Sequence, residues 1–183
     1  MRVIAGTAKG MKLERPDSIL TRPTTDRIKG AMFNIIQFDI EGRRVLDLFS
    51  GSGQLGIEAL SRGAKSAVFV DSRADSIEVI NANLRHTKLA ECAQVVSRDV
   101  LEFIASSSAN SYEIILMDPP YSTDLLKNAV KNIILFDILS NGGIIVCESA
   151  LQDSVGTISE PYRIRKEYKY GDKKLTVIEK ECQ

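Results

Sequence analysis

The sequence predicts an α/β fold: a doubly wound, mostly parallel sheet with helices on both faces and an antiparallel hairpin at its C-terminal end. Three observations predict it. Short apolar runs of strand length recur along the chain, amphipathic helical patterns separate them, and the segment after Tyr162 switches to alternating apolar and charged residues. A parallel sheet covered on both faces needs near-continuous apolar strands, because each crossover helix carries the chain back over one face or the other. With 183 residues, the chain has room for one domain of about 150 residues and a short appendage. At that length about 70% of the unfolded surface can be buried, so no disulfide or metal staple is needed.

Residues 1–23 read as a basic, turn-rich N-terminal arm and 24–183 as the domain itself. Thr24, Thr25 and Asp26 cap a helix whose apolar stripe is Ile28, Ala31, Met32, Ile35 and Ile36, with Pro23 ending the extended segment before it. Five buried strands are expected at 44–50 (RVLDLFS), 66–71 (SAVFVD), 93–96 (AQVV), 112–118 (YEIILMD) and 143–148 (GIIVCE). Between them lie helical spacings: Leu55 with Ala59 and Leu60, Ile77 with Ile80 and Leu84, and Leu125 and Leu126 with Ala129, Val130, Ile133 and Ile134. Tyr162, Ile164, Tyr168 and Tyr170 alternate with charged neighbours as a half-exposed strand does. Gly171-Asp172 is a two-residue turn signal, and a return strand through Leu175 and Val177 completes the hairpin.

Composition excludes several classes. Gly 12 and Pro 5 are too few for a collagen-like or disordered chain, and no apolar run is long enough for a membrane span. The first ten residues, MRVIAGTAKG, lack the apolar segment of a secretory signal, so the expected compartment is the cytoplasm. Cys92, Cys147 and Cys182 are odd in number and widely separated, which fits reduced structural thiols rather than a zinc or redox site. His86, flanked by Arg85 and Lys88, reads as a solvent-facing helix end, and no metal is expected. The net charge is zero, yet residues 1–30 hold seven basic and three acidic side chains and residues 161–183 hold seven and four. That pattern is either an ordinary solvated surface or a basic rim for phosphates around a pocket.

Open α/β sheets bind ligands beyond the carboxyl ends of their strands. Here those ends carry 47–53, Asp71, Arg98-Asp99 and 118–121. The loop after the first strand reads Gly51-Ser52-Gly53-Gln54-Leu55-Gly56, a G-x-G-x-x-G pattern with acidic Asp71 twenty residues after Gly51. Such glycines admit close approach of a ligand to the backbone, and the carboxylate can accept ribose hydroxyl hydrogens. Those jobs suit any adenosine-containing cofactor. Two features favour S-adenosylmethionine (SAM) over a dinucleotide. Asp47, at the loop end of the first strand, would repel a pyrophosphate but suits the ammonium of a methionine moiety, and the edge hairpin is not a second dinucleotide-binding half.

Asp118-Pro119-Pro120-Tyr121 follows directly on the fourth strand. The lone pair of a nucleobase amino group is delocalised into the ring and must be drawn toward tetrahedral geometry before it can attack an electrophilic methyl. Two acceptors can do this: the Asp118 side chain and the Pro119 carbonyl each take one amino hydrogen, the prolines fix the backbone, and Tyr121 stacks on the base. The transfer needs alignment more than a strong base.

The segment DLFSGSGQLGIEALSRGA, followed by VFVD, RD and DPPY, resembles a class I SAM-dependent methyltransferase of the amino-group type. RVIAGTAKGMKL and LTRPTTDRIKGAMFNI resemble more narrowly the RsmD family of bacterial small-subunit ribosomal RNA guanine-N2 methyltransferases, and the likeness runs from residue 2 to about 148. This resemblance implies a Rossmann-like sheet of seven strands whose last pair is antiparallel. It also implies cofactor contacts at Asp47, Phe49, Ser50, Gly51, Ser52, Gly53, Asp71, Ser72, Asp99, Val100 and Asp118, and a catalytic turn at Asp118, Pro119, Pro120 and Tyr121. Ser50 and Gln54 stand where family members commonly carry small apolar residues.

The expected activity is methylation of the exocyclic N2 of a guanine in small-subunit ribosomal RNA, with SAM as methyl donor, S-adenosylhomocysteine (SAH) as product and a monomer as the working unit. Arg2, Lys9, Lys12, Arg15 and Arg22 would clamp phosphates without reading sequence, on an arm that such enzymes often leave disordered until RNA arrives. The same turn also serves adenine-N6 methylation of DNA and glutamine-N5 methylation of protein. The glycine loop alone also admits a nicotinamide-linked reductase, and an assembly factor holding SAM structurally would need the arm but not Asp118.

Overall fold

The computed structural model describes residues 1–16 and 26–182. The elements run α1 (Asp26–Ile35), β1 (Arg44–Leu48), α2 (Gln54–Ser61), β2 (Ser66–Asp71), α3 (Ala74–Thr87), β3 (Ala93–Ser97), α4 (Val100–Ser106), β4 (Tyr112–Met117), α5 (Leu125–Leu135), β5 (Leu139–Ala150), β6 (Tyr162–Tyr170) and β7 (Lys173–Lys180). The strands form one seven-stranded sheet in the order β3-β2-β1-β4-β5-β7-β6. β3, β2, β1, β4 and β5 pair in parallel, and β7 lies antiparallel between β5 and β6. This is the expected mostly parallel sheet closed by an antiparallel hairpin.

Period-2 alternation sends the strand side chains into two cores. Val45, Phe69, Leu116, Val146 and Val177 pack with α1, α2 and α3 on one face, whereas Leu46, Val70, Ile115, Met117, Ile145 and Ile178 pack with α4 and α5 on the other. Among the described residues no helix is long and apolar enough to cross a membrane, and no group of His, Cys, Asp and Glu is arranged to hold a metal. Cys92, Cys147 and Cys182 are free thiols, and His86 is exposed in the last turn of α3.

Three local readings change. β1 ends at Leu48 rather than at residue 50 because Phe49 takes φ 60, which turns the chain out of the sheet. The short α4 was not anticipated: seven residues give too few turns for a periodic signal, and Asp99 caps it through bonds from the amides of Leu101 and Glu102. The largest change concerns the N-terminal arm, whose first residues are a folded hairpin rather than a disordered strap. The Val3 amide donates to the Met11 carbonyl at 3.0 Å, the Gly10 amide to the Val3 carbonyl at 2.9 Å, and the backbones of Arg2 and Lys12 pair antiparallel.

Val3, Ala8 and Leu13 are buried in the core beneath this hairpin. Glu58 of α2 accepts from the amides of Ile4 at 2.7 Å and Ala5 at 3.0 Å, and Ser61 joins Ala8 to the Ala5 carbonyl. Lys29, fully buried on α1, donates to the Arg2 carbonyl at 2.6 Å and faces Glu58 at 3.7 Å. The helix cap expected at Thr24 and Thr25, the end of the arm at residue 23, and Arg22 lie outside the described residues.

Candidate active site

Parallel register sets the carboxyl ends of the strands side by side. Leu48 pairs with Val70 on one flank and Met117 on the other, and Asp71 pairs with Ser97. The chain leaves β1 toward one face of the sheet and β4 toward the other, so a crevice opens between them, as expected where strand order reverses. It forms a cavity of about 340 Å³ lined by 47, 49–52, 54, 55, 71–73, 99, 100, 118–121 and 125, with Met1 and Arg15 at its rim.

The loop after β1 is shaped by three positive-φ residues, Phe49, Gly51 and Gly53, at 60°, 55° and 76°. Phe49 has a Cβ and adopts this conformation against its preference, as residues at functional turns often do. Ser50 locks the turn: its hydroxyl donates to the Asp47 carbonyl at 2.6 Å and accepts from the Val70 amide at 2.9 Å. Asp71 ties the loop to β2 by accepting from the Gly51 amide at 2.8 Å, and its other oxygen accepts from the Arg73 amide at 3.0 Å.

Asp47 is buried at the base of the cavity. Its Oδ2 accepts from the Gly56 amide at 2.8 Å, and its Oδ1 has no partner among the described residues. Burial raises its pKa well above its ordinary value, and the nearby negative charges of Asp118 and Asp71 push the same way against the Gly56 hydrogen bond. An unpaired oxygen on a buried carboxyl group at the floor of a crevice suits a cationic ligand group. Gln54 also lines the cavity with a buried Oε1 that has no partner among the described residues.

Across the crevice, Asp118, Pro119, Pro120 and Tyr121 form the other wall. The Tyr121 hydroxyl donates to Glu148 Oε1 at 2.6 Å. Burial, the charge of Asp118 and that hydrogen bond all push its pKa up, so the phenol stays protonated and offers a ring rather than a base. Val100 and Leu125 supply apolar wall, while Asp99 Oδ1 is engaged as the cap of α4.

Most of the residues selected from sequence therefore converge on one cavity. Gly53 does not line it; it caps α2 at a position where a Cβ would come within 3.3 Å of Ile80. Of the basic arm residues, Arg15 lines the rim, whereas Lys9 and Lys12 are exposed away from it and Arg2 pairs with Asp26 at 3.2 Å. Sequence reasoning passed over Met1, Arg73, Leu125 and the Glu148 tether. Glu148 had a readable signal: a carboxylate ending an otherwise apolar strand, GIIVCE, at the carboxyl edge where ligands bind.

The family described as "Conserved hypothetical protein 95" matches residues 1–179. An Escherichia coli protein named "Ribosomal RNA small subunit methyltransferase D" is 33% identical over 184 residues, spanning 100% of this chain and 91% of its own. This chain belongs to the RsmD family. A Haemophilus influenzae protein of the same name is 35% identical over 72% of this chain and 69% of its own. Among solved structures, Escherichia coli yhhF superposes with a TM-score of 0.87 at 30% identity, covering 100% of this chain and 99% of that one. SMU.776, solved with SAH, shares the fold at a TM-score of 0.65 and 19% identity, with 82% of this chain and 48% of that one covered.

The RsmD-family chain is thus a class I methyltransferase in fold and a SAM-dependent enzyme. This removes the nicotinamide reading of the glycine loop. The residues present fit SAM chemically: Asp47 leaves one carboxylate oxygen for an ammonium, and the Asp71 carboxylate lines the same cavity at the end of β2.

Proposed function

We propose that this enzyme methylates the exocyclic N2 of a guanine in small-subunit ribosomal RNA. The observation that carries the reading is the placement of Asp118-Pro119-Pro120-Tyr121 on the wall opposite the Asp47 and Asp71 carboxylates of a single cavity. When bound, SAM supplies an electrophilic methyl on a sulfonium. Asp47 would take its ammonium, Asp71 its ribose hydroxyls, and the backbone of Phe49, Ser50, Gly51 and Ser52 its methionine portion, with Ser72, Asp99 and Val100 around the adenine.

Asp118 and the Pro119 carbonyl accept the two amino hydrogens of the guanine, which frees the nitrogen lone pair to point at the methyl. Asp118 then holds the proton that the methylated nitrogen gives up. Pro119 and Pro120 have no amide hydrogen and restricted φ, so the two acceptors stay aimed without reorganisation. Tyr121 supplies the stacking face for a base that must be unpaired or flipped out to reach the turn. Arg15 contacts phosphate at the rim, and the exposed Arg2, Lys9 and Lys12 extend that contact outward; Arg22 lies outside the described residues. The names of the full-length relatives support ribosomal RNA as substrate.

The test is methyl transfer from isotope-labelled SAM into unmodified small ribosomal subunits, naked small-subunit RNA and duplex DNA, with products digested to nucleosides and identified by mass. Labelled N2-methylguanosine from either ribosomal sample is the expected result. Label in N6-methyladenine from DNA, or in glutamine of a ribosomal protein, would overturn it.

A further inference from the structure

Residues 143–147 of β5 are apolar and buried, and Glu148 follows them near the carboxyl end of the strand with no solvent exposure. Lys173 begins the antiparallel β7 beside it and is itself nearly buried. Glu148 Oε1 accepts from both Lys173 Nζ, at 2.5 Å, and the Tyr121 hydroxyl, at 2.6 Å. Glu148 Oε2 has no partner among the described residues. Replacing a buried ion pair by apolar groups of similar volume is often neutral or stabilising, so this pair needs a reason beyond stability.

Neither Glu148 nor Lys173 lines the cavity, but Tyr121 does. Among the described contacts, both touch the cavity lining through that ring. The Lys173 ammonium sits 4.9 Å from the Tyr121 ring centroid, over one face. A side chain on an exposed turn would otherwise sample several ring tilts, since Pro120 and Ser122 on either side are exposed.

We infer that Glu148 and Lys173 are positioning residues for the acceptor base: the carboxylate fixes the tilt of the Tyr121 ring and the ammonium covers one face, leaving a single face for stacking. The inference rests on Tyr121 being the base platform proposed above. A cation on the covered face favours binding of the ring's π-system on that side, and it holds the ring against rotation without touching the cofactor.

The experiment is a double-mutant analysis with Glu148→Gln, Lys173→Met and their double, each made alone and on Tyr121→Leu. The Glu148→Gln/Lys173→Met double removes both buried charges together and keeps the test free of an unpaired buried charge. In the otherwise native enzyme each should lower kcat/KM for ribosomal RNA about tenfold, the size of one base stack, with SAM Kd unchanged within about twofold. On Tyr121→Leu they should have no further effect.

In protein carrying ring-labelled tyrosine, the Tyr121 resonance, identified by its loss in Tyr121→Leu, should shift or broaden in Glu148→Gln and Lys173→Met. Equal losses with and without Tyr121, or an unchanged Tyr121 resonance, would overturn the positioning role. If Tyr121→Leu lowers RNA turnover but the other two do not, the positioning fails alone. If Tyr121→Leu itself turns over RNA at the native rate, the platform reading falls and this inference with it.

Discussion

The amide of Gly56 reaches Asp47 Oδ2 at 2.8 Å, so the first turn of α2 holds the carboxylate on which the cofactor crevice is floored while its Oδ1 stays open. One glycine of the G-x-G-x-x-G pattern therefore holds an acid in place through its amide.

Asp47→Asn should weaken SAM binding and leave the fold at least as stable. A hydrogen bond to a charged group contributes roughly 1.5–3 kcal/mol, so calorimetry should show Kd rising by at least about tenfold. The melting temperature should hold or rise, because the variant removes a buried acid whose ionised form is disfavoured. Unaltered SAM affinity would exclude the ammonium contact.

The pH dependence follows from the raised pKa of the same group. Below the ordinary carboxylate value, about 3.9, Asp47 is protonated in folded and unfolded chains alike, and its contribution to stability is complete. That contribution is lost as pH rises through the elevated folded-state value, since the unfolded chain ionises first. SAM binding runs the other way, because pairing with an ammonium requires the ionised form. Its Kd should tighten with rising pH by up to about tenfold per unit until the folded value is passed, and Asp47→Asn should flatten the profile.

Asp118→Ala should abolish methyl transfer, with any change in SAM Kd limited to the loss of one contact, as measured by equilibrium binding beside single-turnover transfer. The side chain supplies one of only two acceptors for the amino hydrogens. Native turnover in this variant would rule out the proposed role.

Gly56→Ala should destabilise the fold by about 1–3 kcal/mol in urea titration. An added Cβ would sit 2.3 Å from the Phe69 ring, which is itself fully buried on β2 and has no room to move. Full stability in the variant would mean α2 can shift away from the sheet.

Glu58→Gln tests the joint between arm and domain. Lys29 and Glu58 are both fully buried, and removing the Glu58 charge, which also faces Arg62 at 2.8 Å, leaves Lys29 without its ionic partner and should cost about 3–5 kcal/mol. Burial already lowers the Lys29 pKa. The loss should therefore shrink as pH rises through that lowered value and the amine sheds its proton, which chemical denaturation across alkaline pH would show.

The sequence by itself determined the sheet, the two helical layers and the position of the crevice, because each depends on local signals. Apolar runs set the strands, and the order of strand and helix forces parallel pairing. Gly51, Gly53 and Gly56 mark where the backbone must turn or be approached, and Asp118-Pro119-Pro120-Tyr121 concentrates its chemistry in four consecutive residues. Tertiary structure decided what depends on partners far apart in the chain. Nothing in the sequence marks Lys29 and Glu58 as buried until α1, α2 and the N-terminal hairpin meet, where Lys29 donates to the Arg2 carbonyl, and only then does the arm become core. Likewise Glu148, Lys173 and Tyr121 lie on β5, β7 and the turn after β4, and only antiparallel pairing of β7 beside β5 brings the ammonium over the ring. A linear pattern records which side chains each segment offers, but the contacts that fix their charge and orientation arise from packing across the sheet.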